Sequence, residues 1–386
     1  MGTFGAHFCL WRKMTNKKYQ SLESLRGIAA VLVVLYHSGF VWGAKNPLIA
    51  QGSLFVYFFF VLSGFVMAYA YLDKIGQGFS AKKFFLLRFG RIYPLHLFML
   101  MVWLVFVLVK ATAYHQFGIG SSDPLVKNTV TTFISHLLLT NSLGFHDSAN
   151  WNFPAWSISV EFYTCLLFFA VISLFKFAAK PIFSLVVSVV AFSLLFAVNG
   201  GLLFGHYDAS LWRCIGGFFL GVFTYALSKN RQFRLNARWA TVFELLAIGV
   251  MLMLVINNKL SWFVRATAFI SFAVVIWLFA IQSKGLISQL LLRKPMLYIG
   301  SLSYSIYMVH AIVFAVFGIV WQYILKLPVT IVERVGHIVK VYDTPYAHVI
   351  NLLALLLVTG ISVLTYRWIE MPWRDRFRVM ARGGRA

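Results

Sequence analysis

Acidic residues are scarce: 11 Asp+Glu stand against 34 Lys+Arg in 386 residues, a formal net charge of +23. Charged residues of both signs make up only 12% of the chain, against roughly 25% in a soluble domain. That shortage excludes an ordinary soluble enzyme, and the apolar remainder excludes a disordered chain. The three cysteines, Cys9, Cys165 and Cys214, form no CxxC and no metal-ligand spacing. A disulfide scaffold is thereby excluded, and the thiols read as inert. No cleavable leader is evident, because residues 1–24 are polar and basic and the first apolar run opens at Leu25. Internal repeats, low-complexity tracts and heptads are missing too.

What the chain has in abundance is apolar sequence, 60% hydrophobic and 18% aromatic. Such a surplus faces lipid. Ten apolar runs have helical length: 25–43, 52–72, 91–109, 155–176, 181–198, 211–227, 239–257, 263–281, 297–322 and 347–369. A bilayer span needs about 20 residues. The expected fold is therefore an all-α integral membrane protein, with about ten transmembrane helices in one bundle over 25–369. A cytoplasmic segment, 1–24, and a basic cytoplasmic tail, 370–386, flank it. A weaker stretch at 129–143 interleaves Thr, Ser and His with Leu, and reads as interfacial or re-entrant. Sorted by alternate loops, the basic residues divide 24 to 7, which fits ten spans with both termini cytoplasmic. They lie between apolar runs and not on one soluble face, so they read as topology signals and no nucleic-acid partner is expected. Two larger outer loops, 110–154 and 323–346, are too short for a separate catalytic domain. The first, with Asp123, His146, Asp147, Asn150 and Trp151, is by position the surface facing a substrate outside.

Ionisable side chains inside spans are expensive, so each marks a candidate site. Arg26 and His37 are eleven residues apart in the first span. On a helix they point within about 20° of each other and are separated by about 16 Å along the axis. Snorkelling for Arg26 and an interhelical hydrogen bond for His37 are the bland alternatives. The fourth span opens Trp151-Asn-Phe-Pro154-Ala-Trp156-Ser157-Ile-Ser-Val-Glu161. Pro154 suits a helix start, and Ser157 and Glu161 share a face. Glu161 is expected either to orient His37, to meet a polar substrate, or to form a structural ion pair with Arg213. Arg88 and Arg91, three apart at the end of the second cytoplasmic loop before Tyr93-Pro94, can flank one phosphate. Positive-inside anchoring is the alternative for them. The ninth span carries Ser303, Tyr307 and His310 on one stripe, beside Tyr304, facing the bundle interior. Gly217 and Gly221 form a GxxxG read as packing.

These motifs occur in order: Ser24-Leu-Arg26-Gly with His37; Arg88-Phe-Gly-Arg91-Ile-Tyr93-Pro94; Trp156-Ser157-Ile-Ser-Val-Glu161-Phe-Tyr163; Ser303-Tyr304-Ser-Ile-Tyr307-Met-Val-His310; Tyr366-Arg-Trp-Ile-Glu370-Met-Pro372. Together, over residues 20–374, they resemble the acyltransferase-3 family of integral membrane O-acyltransferases. The resemblance implies an acyl group, commonly acetyl, taken from cytoplasmic acyl-CoA. It implies a hydroxyl acceptor on a glycan or glycolipid at or beyond the outer face of the bacterial inner membrane. Lipopolysaccharide, exopolysaccharide and peptidoglycan are among the family's acceptors. Arg26 and His37 are implied as catalytic, with Glu161 beside them. The Arg88 and Arg91 pair is implied as functional, and with Arg26 it is expected to hold the phosphates of the donor. Trp156, Ser157, Arg213, Tyr304, Tyr307 and His310 are candidates for substrate contact. No metal is expected. Some members carry a fused extracytoplasmic hydrolase-like domain, for which these 386 residues leave no room. A transporter or flippase of a lipid-linked sugar is the competing reading, since buried Arg, His and Glu also mark substrate paths.

Overall fold

Each of the ten apolar runs carries a helix. The computed structural model describes residues 19–39, 46–146, 150–198, 209–229, 231, 235–257, 262–334, 337–342 and 346–383. Its helices are α1 Gln20–His37, α2 Phe55–Gly76, α3 Ala81–Phe117, α4 Val130–Leu137, α5 Ala155–Leu174, α6 Pro181–Val198 and α7 Ser210–Ser228. They continue as α8 Ala237–Ile256, α9 Trp262–Ile281, α10 Leu286–Leu291, α11 Lys294–Ile319, α12 Ala347–Thr365 and α13 Met371–Ala381. Among the described residues, seven helical stretches, containing α2, α3, α5, α7, α8, α11 and α12, are long and apolar enough to cross a bilayer. The apolar parts of α6 and α9, Pro181–Ala197 and Ala266–Ile281, are shorter. The chain is a multi-pass membrane protein.

Three boundaries differ from expectation, each for a physical reason. α1 starts at Gln20 and ends at His37 instead of covering 25–43. Its early serines are inside the bundle: the Ser21 and Ser24 hydroxyls donate to the carbonyls of Phe279 at 3.2 Å and Leu291 at 2.6 Å. α3 starts ten residues before the expected span, so Arg88 and Arg91 lie inside a 37-residue helix and not in a loop. Pro94 removes only one bond of that ladder, and Phe377 of α13 packs against Gly90, where any Cβ would collide with its ring. The residues expected as a basic tail form α13, docked along α3. A five-residue π-helical stretch, Tyr366–Glu370, joins α12 to α13 without a break. The segment expected as the second outer loop adds the one departure from all-α structure among the described residues. There β1 Val329–Arg334 pairs antiparallel with β2 His337–Tyr342, in a register that sets Val329 against Tyr342. Both strands are rich in β-branched residues.

Glycines set the helix crossings. A Cβ on Gly27 of α1 would sit 2.7 Å from the Gly300 nitrogen of α11, so the two backbones touch. Gly64 of α2 and Gly221 of α7 are likewise closed by carbonyls, those of Phe218 and Val61. Small residues substitute here for the hydrophobic drive that lipid cannot provide. The start of α1 meets the end of α2, with Tyr19 edge-on to Phe65 and Tyr69. The end of α1 meets the start of α2, where Gly52 is packed under Tyr36.

The loop between α3 and α5 is pinned to the bundle. α4 opens with a capping box of Thr129 and Thr132. Tyr93 donates to the Leu137 carbonyl at 3.0 Å and His96 Nε2 to the His136 carbonyl at 2.9 Å. His136 Nε2 in turn donates to Asn150 Oδ1 at 2.8 Å. Asn150 and Trp151 are therefore buried supports of the loop, while Asp123 pairs with His115 at 3.2 Å. Asp147 lies outside the described residues.

Two outcomes follow. Gly27→Leu forces α1 and α11 apart and lowers stability by about 1–3 kcal/mol, readable as a drop in Tm in detergent. Burial, helped by the neighbouring His96 ring, pushes the His136 imidazole from 6.5 down to about 3. The unfolded loop therefore binds the proton more readily. The stabilising effect is complete above 6.5 and is lost as pH falls toward 3. Pepsin cleavage within 118–150 accelerates over that window, and His136→Gln reduces its pH dependence.

Candidate active site

A cavity of about 500 Å³ opens among α1, α2, α3, α5, α11 and α13. Five arginines line it: Arg26 of α1, Arg88 and Arg91 of α3, and Arg374 and Arg378 of α13. Helical spacing explains the convergence, because residues three or four apart share a face. Only two carboxylates, Glu23 and Glu161, share the lining, so the cavity carries excess positive charge.

Each buried guanidinium is held. Arg88, 8% exposed, donates from Nη2 to Glu161 Oε1 at 3.1 Å, and Ser63 donates to the same oxygen at 2.7 Å. Arg91 Nη1 stands 3.5 Å from Glu370 Oε1, and Arg374 Nη1 is 3.8 Å from it. Glu370 is 1% exposed and also accepts from the Ser305 hydroxyl at 2.9 Å. Arg26 donates from Nε to Ser303 Oγ at 2.7 Å and from Nη2 to the Gly300 carbonyl at 3.1 Å, with Glu23 3.6 Å away.

The tyrosines of α11 form the wall between this basic chamber and a pair of histidines. Tyr304 donates to the Ile92 carbonyl at 2.6 Å. Tyr307 donates to the Pro154 carbonyl at 3.0 Å and receives the Ser157 hydroxyl at 2.8 Å. Behind Tyr307 the His310 ring stands 5.6 Å away, and the His37 ring lies 5.0 Å beyond that. His37 Nδ1 lies 2.9 Å from the Val33 carbonyl and His310 Nδ1 2.6 Å from the Tyr307 carbonyl. A carbonyl only accepts, so each neutral ring carries its proton on Nδ1 and its lone pair on Nε2. His310 is fully buried, and its Nε2 has no hydrogen-bond partner among the described residues.

Of the residues singled out in the sequence, Arg26, Arg88, Arg91, Ser157, Glu161, Tyr304 and Tyr307 line the cavity. His37, His310, Trp156 and Arg213 are outside its lining. Arg26 and His37 both face α11, the first at Gly300 and Ser303 and the second at His310. Two expectations about Glu161 are corrected. Its carboxylate binds Arg88 and Ser63 and is not the support of His37. Nor is it the partner of Arg213, whose guanidinium bonds the Tyr57 hydroxyl. Trp156 packs edge-on against Phe60 at 6.0 Å. Sequence reasoning missed Ser63, Glu370, Arg374 and Arg378. Glu370 stood in a quoted motif, and its acidity in a strongly basic tail was the available signal.

The acyltransferase domain family matches residues 19–374. The chain belongs to the acyltransferase-3 family. This acyltransferase-3 chain is 25% identical to the O-acetyltransferase OatA of Staphylococcus aureus, covering 94% of the chain and 58% of that protein. It is 24% identical to the putative peptidoglycan O-acetyltransferase YrhL of Bacillus subtilis, over 97% of the chain and 58% of YrhL. A segment is 41% identical over 81 residues to protein 2 in the picA locus of Rhizobium radiobacter, 21% of this chain and 41% of that protein. The chain thus spans 58% of the length of its two long-range relatives. No solved structure matches it.

Removing Glu370 strands two guanidinium charges. Glu370→Ala lowers stability by about 3–5 kcal/mol, the usual effect of breaking a buried pair. Adding Arg91→Ala recovers part of the loss, measurable as a double-mutant cycle of unfolding in micelles.

Proposed function

We propose that this chain is an O-acetyltransferase of the bacterial inner membrane. It moves an acyl group, most simply acetyl, from cytoplasmic acyl-CoA to a hydroxyl of an exported or cell-surface glycan. The observation that carries the proposal is the five-arginine cavity ending at the tyrosine wall in front of His310 and His37. Acyl-CoA has three phosphate groups on a long pantetheine arm, a polyanionic head with a thin reactive tail. Planar guanidinium forks suit the phosphates, and the end of the cavity lined by Ser157 and Tyr307 receives the tail. The names of the relatives support acetyl as the group and a glycan such as peptidoglycan as the acceptor.

The residues divide the work. Arg88, Arg91 and Arg26 hold the phosphates and fix the donor, converting an encounter into an oriented complex. Neutral His37 takes the proton of the acceptor hydroxyl on Nε2 while the Nδ1–H bond to Val33 keeps the tautomer. The hydroxyl oxygen attacks the thioester carbon, the carbon–sulfur bond breaks, and the proton passes from His37 to the departing thiolate. The Tyr307 hydroxyl stabilises the tetrahedral oxyanion by turning its proton away from the Pro154 carbonyl.

The test is acetyl transfer by purified protein given radiolabelled acetyl-CoA and a panel of glycans. His37→Ala, folded and inserted, abolishes CoA release. Arg88→Ala raises KM for acetyl-CoA on the order of 10- to 100-fold with less change in kcat, as expected for loss of charge-assisted bonds. Solute movement across liposomes without consumption of acetyl-CoA overturns the proposal in favour of a transporter.

A further inference from the structure

One charged side chain takes no part in the cavity. Arg213 sits in the first turn of α7 and is only 3% exposed. Its guanidinium bonds the Tyr57 hydroxyl, yet Nε and Nη2 have no hydrogen-bond partner among the described residues. None of the ion pairs formed by described residues includes it. The helix end around it is as unusual. Ala209 and Ser210 are buried, and the side chain of the N-cap residue, Ala209, makes no bond to the first-turn N–H groups. A buried helix start that its own N-cap residue leaves uncapped carries a partial positive charge. A buried guanidinium with two unused N–H groups is rare. Both ask for the same thing, an oxyanion.

The position of this end in the bundle says on which side of His37 the anion belongs. α2 and α7 run parallel: Tyr57 meets Arg213, Gly64 meets Phe218, and Asp73 at the far end binds Lys229 at 2.7 Å. The cavity lining runs along α2 from Phe59 to Tyr71, and Arg88, Arg91 and Arg378 stand around Tyr71, toward that far end. Tyr57 and Arg213 lie at the opposite end, where α1 finishes. Tyr36 connects them to the histidines: it interacts with Tyr57, and its ring meets His37 edge-on at 4.8 Å. The two basic sites therefore flank His37 from opposite ends of the bundle. They differ in strength. Five guanidiniums suit a polyanion, whereas one guanidinium with one phenol balances a single negative charge.

We infer that Arg213, Tyr57 and the start of α7 form a binding site for a singly charged oxyanion, a carboxylate or phosphodiester, carried by the acceptor. The anion anchors the acceptor so that a neighbouring hydroxyl reaches His37. Assigning the anion to the acceptor rests on the acyltransferase reading; the existence of the site does not.

The test is ligand-dependent unfolding temperature of the full chain in neutral detergent. Sodium D-glucuronate is the carboxylate probe and D-glucose its neutral match. Phosphatidylglycerol and phosphatidylcholine form the phosphodiester pair, and acetyl-CoA is run separately. Glucuronate is expected to raise the wild-type Tm and glucose to leave it unchanged. Arg213→Gln is expected to weaken glucuronate binding on the order of tenfold or more and to leave the acetyl-CoA shift and the unliganded Tm intact. Tyr57→Phe, which keeps the ring packing, is expected to weaken it less. A glucuronate shift that persists in Arg213→Gln overturns the site. So does a large fall in unliganded Tm in that variant, which marks an internal ion pair. An Arg213-dependent shift with phosphatidylglycerol alone overturns the assignment to the acceptor. Loss of the acetyl-CoA shift from the wild type would count against the enzymatic reading and leave the anion site standing.

Discussion

Charge neutralisation inside an apolar bundle is the constraint on which the rest of this structure hangs. Arg88 and Arg91 enter the bundle on one helix, and each would be costly there alone. Their carboxylates come from far away in the chain, Glu161 on α5 and Glu370 at the head of α13. Satisfying both fixes α5 and α13 around α3 at once. The cavity is the space left between those elements, and its surplus of arginine follows from having fewer acids than bases. On the proposed function, a donor phosphate would compete with this pairing. The Arg88 guanidinium is held in place by a carboxylate that a serine also binds.

Much of the architecture was legible in local pattern. Runs of twenty apolar residues gave the helices, and helical periodicity put Arg26 and His37 on the face that meets α11. The start of α3 was not legible, because its first turns carry Lys82, Lys83 and Arg88 and read as a basic loop. α1 began early because its serines find carbonyls on α9 and α10, information held some 260 residues away. The hairpin at 329–342 lay within a segment read only as a loop.

The site shows a similar division. Residue type identified Arg88, Arg91 and Glu161 as costly in lipid, but spacing could not say which acid meets which base. Nearness in the expected topology suggested Arg213 for Glu161. In the fold Glu161 reaches across to Arg88, because α3 extends far enough to bring Arg88 level with the second turn of α5. Glu370 was hidden by its surroundings, a basic stretch in which it and Asp375 look incidental.

The π-helical stretch at Tyr366–Glu370 has a mechanical consequence. A π turn holds about one residue more than an α turn, and one residue is about 100° of helix rotation. α13 therefore leaves α12 out of phase with it. That offset points Glu370 inward and turns Arg374 and Arg378 to the cavity while Arg376 stacks outside on Trp373 at 4.9 Å. Tightening this one turn to ordinary α geometry would rotate α13 like a key, withdrawing two of the five positive charges without moving any membrane-spanning helix. The strength of the basic chamber is thus set by the winding of a single turn.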